Sequence, residues 1–236
     1  MSIRSNYVLF GGGAFATEIA TYLVDCRRAA AALVGEPLES LPLVSDVVVQ
    51  GNSRLDDLAR VIGHRPRLHE SVSTVENVEE KLAIVCIGDP VARLQVFREA
   101  TSAGMAMGTV IHPTALVSET ATVERGAVIC PFVFVGPFAS VRENAAVNVH
   151  ATIGHDAVLE HSSVISPGAQ VNGFGRVGVA GFVGAGAVLH PGAALGSYSK
   201  LSAGSVLNKK VGDGFVMHGN PAAGRQMIAV TDAERT

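Results

Sequence analysis

Every sixth residue from Ile111 to Leu207 is Ile, Val or Leu, seventeen positions in one unbroken phase. The residue four places after each of the first sixteen is Ala, Ser or Gly in every case but Val133. Internal repetition of this kind decides the architecture before local propensity is weighed. An α-helix turns by about 100° per residue, so a strict six-residue step would wander over its whole surface, and a helix is excluded across this half. A straight strand would put the aliphatic and the small positions on the same face, because both steps are even. A chain that bends once per hexad satisfies both, with a large aliphatic filling each flat side and a small side chain at each tight corner. Three sides close a coil of 18 residues, and the seventeen hexads make between five and six such coils paired as parallel strands. A β-sandwich would have to produce the whole series by coincidence.

The amino-terminal half has a different pattern. Tyr7 to Phe10 is a short apolar run ending at Gly11-Gly12-Gly13, followed by an Ala- and Leu-rich stretch from Phe15 to Leu33. This reads as strand, glycine turn and helix. Asp46 to Gln50 and Leu82 to Gly88 read as two more strands, and Asp89-Pro90 suit the N-cap and first position of a helix ending near Gly104. Strands alternating with helices imply a small parallel α/β sheet. The expected division is a Rossmann-like α/β domain over 1–108, a parallel β-helix over 109–216 and a tail over 217–236.

Gly11, Gly13 and Ala16 match the GxGxxG/A spacing, in which small residues let phosphate or sugar oxygens approach backbone N–H groups at a helix start. A tight structural turn with no ligand is the alternative. No acidic residue closes a second strand about twenty residues on, so a nicotinamide-dependent dehydrogenase is not expected.

Composition excludes several partners. The net charge is −3, and residues 126–206 carry only six charged side chains, three of each sign, so no basic stripe is offered to nucleic acid or an anionic membrane. No apolar run approaches the ~18 residues of a membrane helix. Arg4 ahead of the Tyr7–Phe10 run could suggest a signal peptide, but the three glycines interrupt it and Glu18 follows. Cys26, Cys86 and Cys130 are odd in number, lack CxxC spacing and read as buried free thiols. The expected location is the cytoplasm.

The order of a glycine-turn α/β domain and then uninterrupted hexads resembles the bacterial sugar acyltransferases of the sialic acid O-acetyltransferase, UDP-bacillosamine and GDP-perosamine N-acetyltransferase type. The segments that carry the resemblance are Phe10 to Gly13, Ile87-Gly88-Asp89, Ile111 to Ala115, Asn148 to Ala169 and Gly219 to Ala222. It implies a homotrimer of left-handed β-helices, acetyl-CoA in the cleft between neighbouring subunits, and a nucleotide-sugar held by the amino-terminal domain, here by Gly11, Gly12 and Gly13. The implied reaction is N-acetylation of a nucleotide-linked amino sugar for surface-glycan synthesis.

The family's catalytic imidazole and acidic partner fall on His155 and Asp156. His155 stands two places after inward Ile153 and two before Ala157, at neither interior position. Such a histidine can take the proton that an amine must shed as its new C–N bond forms, and Asp156 would orient the ring. One coil later stands Gly173, which matches the family glycine whose N–H holds the thioester carbonyl oxygen. Ala185 and Ala203 match CoA-contacting positions and are expected to continue that stack. Lys209 and Lys210 either meet the CoA phosphates or are simply solvated. Asn148 matches a position that contacts the acceptor sugar, whereas His150 and His161 read chiefly as spectators.

Two departures leave the acceptor open. Gly13-Ala14-Phe15-Ala16 stands where the family has Gly-Gly-His-Gly, and Val47 to Asn52 stands where it has Gly-Phe-Leu-Asp-Asp. One base serves an amine or a hydroxyl, so O-acetylation of sialic acid or another sugar is the near alternative. No metal is expected, although His150, His155 and His190 keep open a zinc hydratase built on the same coil. A catalytically silent trimer is the third reading.

Overall fold

The computed structural model describes residues 6–35, 43–51 and 53–231. Arg4, Asn52 and residues 232–236 lie outside them. The chain divides into two compact units, one of residues 1–88 and 95–113, the other of residues 89–94 and 114–236.

The first unit runs β1 (Asn6–Phe10), α1 (Ala14–Val34), β2 (Val44–Val48), α2 (Leu55–Ile62), β3 (Arg67–His69), β4 (Lys81–Val85), the greater part of α3 (Pro90–Ser102) and β5 (Ala106–Met107). Its strands form one parallel sheet in the order β3-β2-β1-β4-β5. Val8, Phe10, Val48, Ala83 and Val85 alternate onto one face and bury against Phe97 and Ala100 of α3. β2 begins and ends two residues earlier than its apolar run suggests; just past it Val49 N–H donates to His69 O at 2.9 Å, and Val49 and Gln50 line a cavity. As expected, Asp89 caps α3, its Oδ1 accepting the N–H groups of Val91 (3.1 Å) and Ala92 (2.9 Å).

One charge sits inside this unit. Asp46 is fully buried on β2, accepting from Lys81 at 2.7 Å, His69 at 2.9 Å, Arg67 at 3.0 Å and Ser45 at 2.6 Å. Burial alone would raise its pKa, but the hydrogen bonds from Lys81, Ser45 and His69 outweigh that and hold the carboxyl down at about 2.

The second unit is a left-handed parallel β-helix. Each hexad contributes a two-residue strand, and each strand pairs with the one a full coil further on, as Phe134↔Thr152, Val135↔Ile153 and Ile153↔Val171 illustrate. From Ile129 to Leu207 every hexad aliphatic is at most 1% exposed, which fills the interior. Val117 and Val123, on the first strands, are only partly covered.

The corner differs from the expected one. Its apex is formed by the residues two and three places after the aliphatic, and the small residue at the fourth place turns inward just past it. The residue three places after has a positive φ in every hexad from Gly126 to Gly204, including Phe132, His150, Asp156, Phe174 and Tyr198. From Asn144 onward its N–H donates to the carbonyl of the preceding corner, for example Phe174 N–H to His155 O at 3.0 Å and Gly192 N–H to Gly173 O at 2.9 Å, whereas the Phe132 and Phe138 N–H groups donate to the hydroxyls of Thr114 and Thr120. No N–H two places after the aliphatic makes a backbone bond among the described residues, and Pro113, Pro131, Pro137, Pro167 and Pro191 stand at that place. A ring that lacks an N–H and presets φ suits that first apex position.

One of the three corners is covered from within the unit. Asn144, Ser162, Ala180 and Tyr198 stack along it, and the first turn of α3 lies on them, with Leu94 packed against Val179, Ala180 and Tyr198. Arg93 is fully buried there, its Nε donating to Asn144 O at 2.5 Å while Asn144 Nδ2 donates back to Arg93 O at 3.2 Å. At the far end the last pairings, Ala194↔Lys210 and Lys200↔Val216, fall short of a full coil, and Phe215–His218 pairs antiparallel with Ala223–Gln226.

Candidate active site

The hexad phase puts His155 at a corner apex with its side chain 58% exposed. Asp156, next along the chain, takes the left-handed backbone position at φ 57. His155 Nδ1 meets Asp156 Oδ2 at 2.8 Å, and a ring that gives its Nδ1 proton to a carboxylate keeps Nε2 free to accept one. That nitrogen lies over Gly173, where an added Cβ would stand 2.5 Å from Nε2 and 2.7 Å from Cε1. Phe174 packs edge-on against the imidazole, ring centroids 5.1 Å apart. Among the described residues the Gly173 N–H makes no hydrogen bond, so a free base nitrogen and a free backbone donor sit side by side.

The remaining sequence candidates divide between places. Ala185 and Ala203 do not continue the His155–Gly173 stack, because neither stands a whole number of coils beyond Gly173 and both turn at a different corner. Asn148 and His150 share that second corner, where His150 stacks on Phe132 with centroids 5.0 Å apart. Asn148 Nδ2 donates to Ile165 O at 3.0 Å, and Asn172 makes the same bond to Leu189 O at 2.9 Å, so this amide serves the coil's own ladder. His161 meets Glu143 O at 2.9 Å. Lys209 and Lys210 are exposed and have no carboxylate within ion-pair distance among the described residues. No group of three His, Cys, Asp or Glu converges among the described residues.

Within the first unit a cavity of about 600 Å³ opens at the ends of β1, β2 and β4. Gly11 and Gly13 line it, but Gly12 does not. The glycines differ in cause. A Cβ at Gly11, which has φ +116, would meet Cys86 O at 2.8 Å, and one at Gly12 would meet Ser53 Cβ at 2.9 Å, whereas Gly13 faces open space. Glu70, Gln95 and Glu99 also line the cavity and escaped the sequence reading, since nothing local marks three polar residues from two separate segments. Phe174 could have been found by stepping one coil on from Asp156.

Cys26, Cys86 and Cys130 are in no disulfide, and the first is only half-buried. Burial, with the negative charge of Asp25, pushes the Cys26 thiol up to about 11.

No protein-family model and no curated protein sequence matches the chain. Solved structures do. An asparagine-for-histidine variant of perosamine N-acetyltransferase from Caulobacter crescentus, in complex with CoA and GDP-perosamine, is 24% identical with a TM-score of 0.79, covering 94% of this chain and 97% of that one. The acetyltransferase domain of PglB from Neisseria gonorrhoeae, in complex with acetyl coenzyme A, is 26% identical with a TM-score of 0.75, over 94% and 100%. WeeI from Acinetobacter baumannii is 17% identical with a TM-score of 0.72, over 94% and 100%. Over nearly all of its length the chain has the fold of the hexapeptide-repeat sugar acyltransferases that its motifs resemble.

Proposed function

We propose that this protein is an acetyl-CoA-dependent acyltransferase that N-acetylates an amino sugar carried on a nucleotide, with His155 as the general base. The observation that carries the reading is the pairing of His155 Nε2 with the unbonded Gly173 N–H on one exposed corner. The likeness to enzymes solved with acetyl coenzyme A, CoA and GDP-perosamine supports the choice of donor and acceptor class.

As the amine nitrogen attacks the thioester carbonyl, its proton passes to His155 Nε2. The carbonyl oxygen takes the electron pair of the C=O bond and is held by the Gly173 N–H. Collapse expels CoA as thiolate, which takes the proton from the imidazolium. Asp156 fixes the ring orientation and offsets its charge during the step. The cavity at Gly11 and Gly13 would hold the nucleotide, with the turn ahead of α1 facing its phosphates.

A homotrimer suits the exposed corners. Phe138 and Phe174, 65% and 60% exposed, lie on the His155 corner, and Phe132, 58% exposed, lies on the corner of Asn148, Ala185 and Ala203. Each site would join the first corner of one copy to the second corner of the next, so that Ala185, Ala203 and Asn148 serve a neighbour's His155. Among the described residues no helix is long and apolar enough to cross a membrane, and a cytoplasmic location accords with the donor.

The test is His155→Ala, assayed with acetyl-CoA on nucleotide-linked amino sugars and on sugar hydroxyl acceptors. Turnover should fall by roughly 10²–10⁴-fold while CoA binding persists. Undiminished turnover removes His155 from the reaction, and transfer to hydroxyls alone makes the enzyme an O-acetyltransferase.

A further inference from the structure

Three histidines stand at corners of the coil, and two of them are tied to it. His155 Nδ1 meets Asp156 Oδ2 at 2.8 Å, and His161 Nδ1 meets Glu143 O at 2.9 Å. The third, His150, is exposed, and its ring nitrogens bond to nothing among the described residues. The ring is nevertheless fixed in direction, because it lies flat on Phe132, one coil earlier, with centroids 5.0 Å and planes 11° apart. Further along the same column stand Gly168, Gly186 and Gly204, where an added Cβ would meet nothing within 4 Å. One face of the imidazole is therefore covered by a phenyl ring, while its other face and both nitrogens open on clear space. A polar side chain held in place without a partner is preorganised for a contact outside its own chain. Asn148, on the same corner, is less available, since its Nδ2 is taken by Ile165 O at 3.0 Å.

His150 and Asp156 are the third residues after Val147 and Ile153, so they hold the same place on consecutive corners. One hexad climbs a third of a coil, about 1.6 Å of the ~4.8 Å between paired strands. Around a threefold axis parallel to the coil, every copy repeats at one height. Where the second corner of one copy meets the first corner of the next, His150 then stands level with the neighbour's Asp156. Phe132 stands level with the neighbour's Phe138 in the same way and closes the groove on that side with apolar rings. The donor is committed to the Gly173 side by its carbonyl oxygen, which leaves the height of His150 to the acceptor.

We propose that His150 reaches across the subunit boundary and selects the acceptor, exchanging hydrogen bonds with the sugar hydroxyl next to the reacting amine. A neutral imidazole offers one donor and one acceptor, as a hydroxyl does. The inference rests on the acyltransferase reading and its threefold assembly, and it names the residue by which one copy chooses the sugar that its neighbour acetylates.

The coil itself uses glycine at this place, so His150→Gly should keep the fold, as a thermal melt would check. The acceptor is the one that the wild type acetylates best among UDP- and GDP-linked amino sugars. The variant should raise KM for it roughly tenfold, the loss expected for a hydrogen bond, while kcat and KM for acetyl-CoA are kept. His150→Asn should recover part of the loss. An analogue lacking the hydroxyl beside the amine should have one KM with wild type and variant alike. Mixed assemblies of His155→Ala and His150→Gly chains, purified through a tag on each, test the sharing. At low acceptor they should turn over faster than His150→Gly alone, because some sites join an intact His155 to a neighbour's intact His150. An unchanged acceptor KM, an equal rise with the analogue, or mixed assemblies slower than His150→Gly alone overturn the proposal while the acyltransferase reading stands. A wild type that acetylates no amino sugar ends that reading, and the inference with it.

Discussion

His155 and Gly173 touch across one turn of the coil so closely that a single methyl group on Gly173 would occupy the space of the imidazole Nε2, 2.5 Å away. Gly173 has no positive φ, so alanine is free of backbone strain there, and only the ring must move. Gly173→Ala should therefore fold normally and lose turnover by about 10²-fold or more, the cost of a misplaced base and a shielded N–H donor. Steady-state kinetics beside a thermal melt would check it, and full activity would detach Gly173 from the site.

Asp156 combines two tasks that different replacements separate. It holds His155 Nδ1 at 2.8 Å and occupies a left-handed position at φ 57. Asparagine tolerates that backbone, so Asp156→Asn should keep its melting temperature while turnover falls at least about tenfold through a weakened hold on the ring. Asp156→Ala should lose activity and also about 1 kcal/mol of stability, because alanine is poorly suited to a left-handed apex.

Acid stability should report Asp46. Its carboxyl is held at about 2, below the ordinary value near 4, so the folded state keeps its charge where the unfolded chain takes up a proton. That stabilisation is complete above about pH 4 and drains away as pH falls towards about 2. Asp46→Asn should lower stability at pH 7 by roughly 3 kcal/mol, since Lys81 is left buried without its carboxylate. It should also flatten the acid limb. Urea melts at pH 7, 4 and 2.5 would show both effects.

Leu189 is fully buried inside the coil, one rung from the end of its sheet, with a rung on either side. Leu189→Ala should cost about 2–5 kcal/mol, measured by denaturant unfolding.

Thiol labelling should be slow. Cys86 and Cys130 are buried, and Cys26, with its pKa near 11, holds little thiolate at pH 8. Native protein should react over hours with a soluble thiol reagent, and the Cys26 rate should climb steadily as pH is raised towards 10.

The coil was legible because its information is one-dimensional. A hexad aliphatic has one place to go, and the stacking of coil on coil follows from counting, which is why Gly173 beneath His155 was foreseeable. The same counting, carried out more strictly, would have kept Ala185 and Ala203 off that corner. Phenylalanine at Phe132, Phe138 and Phe174 gave no hint of left-handed backbone, because the repeat imposes that conformation against residue preference. In the first unit, α2 went unread: its buried side chains Leu55, Leu58 and Ile62 sit in a helix too short for periodicity to speak. The Glu70, Gln95 and Glu99 wall depends on how β3 and α3 meet around one opening, which no local pattern encodes.

A stack of rungs ends in a strand whose outer N–H and C=O groups invite another chain to add itself, the route by which solenoids grow into fibres. Here Phe215–His218 has that side taken by Ala223–Gln226 running the opposite way. Protein truncated before Ala223 should thus lose its monodispersity, polymerising tip to tip through an uncovered final rung.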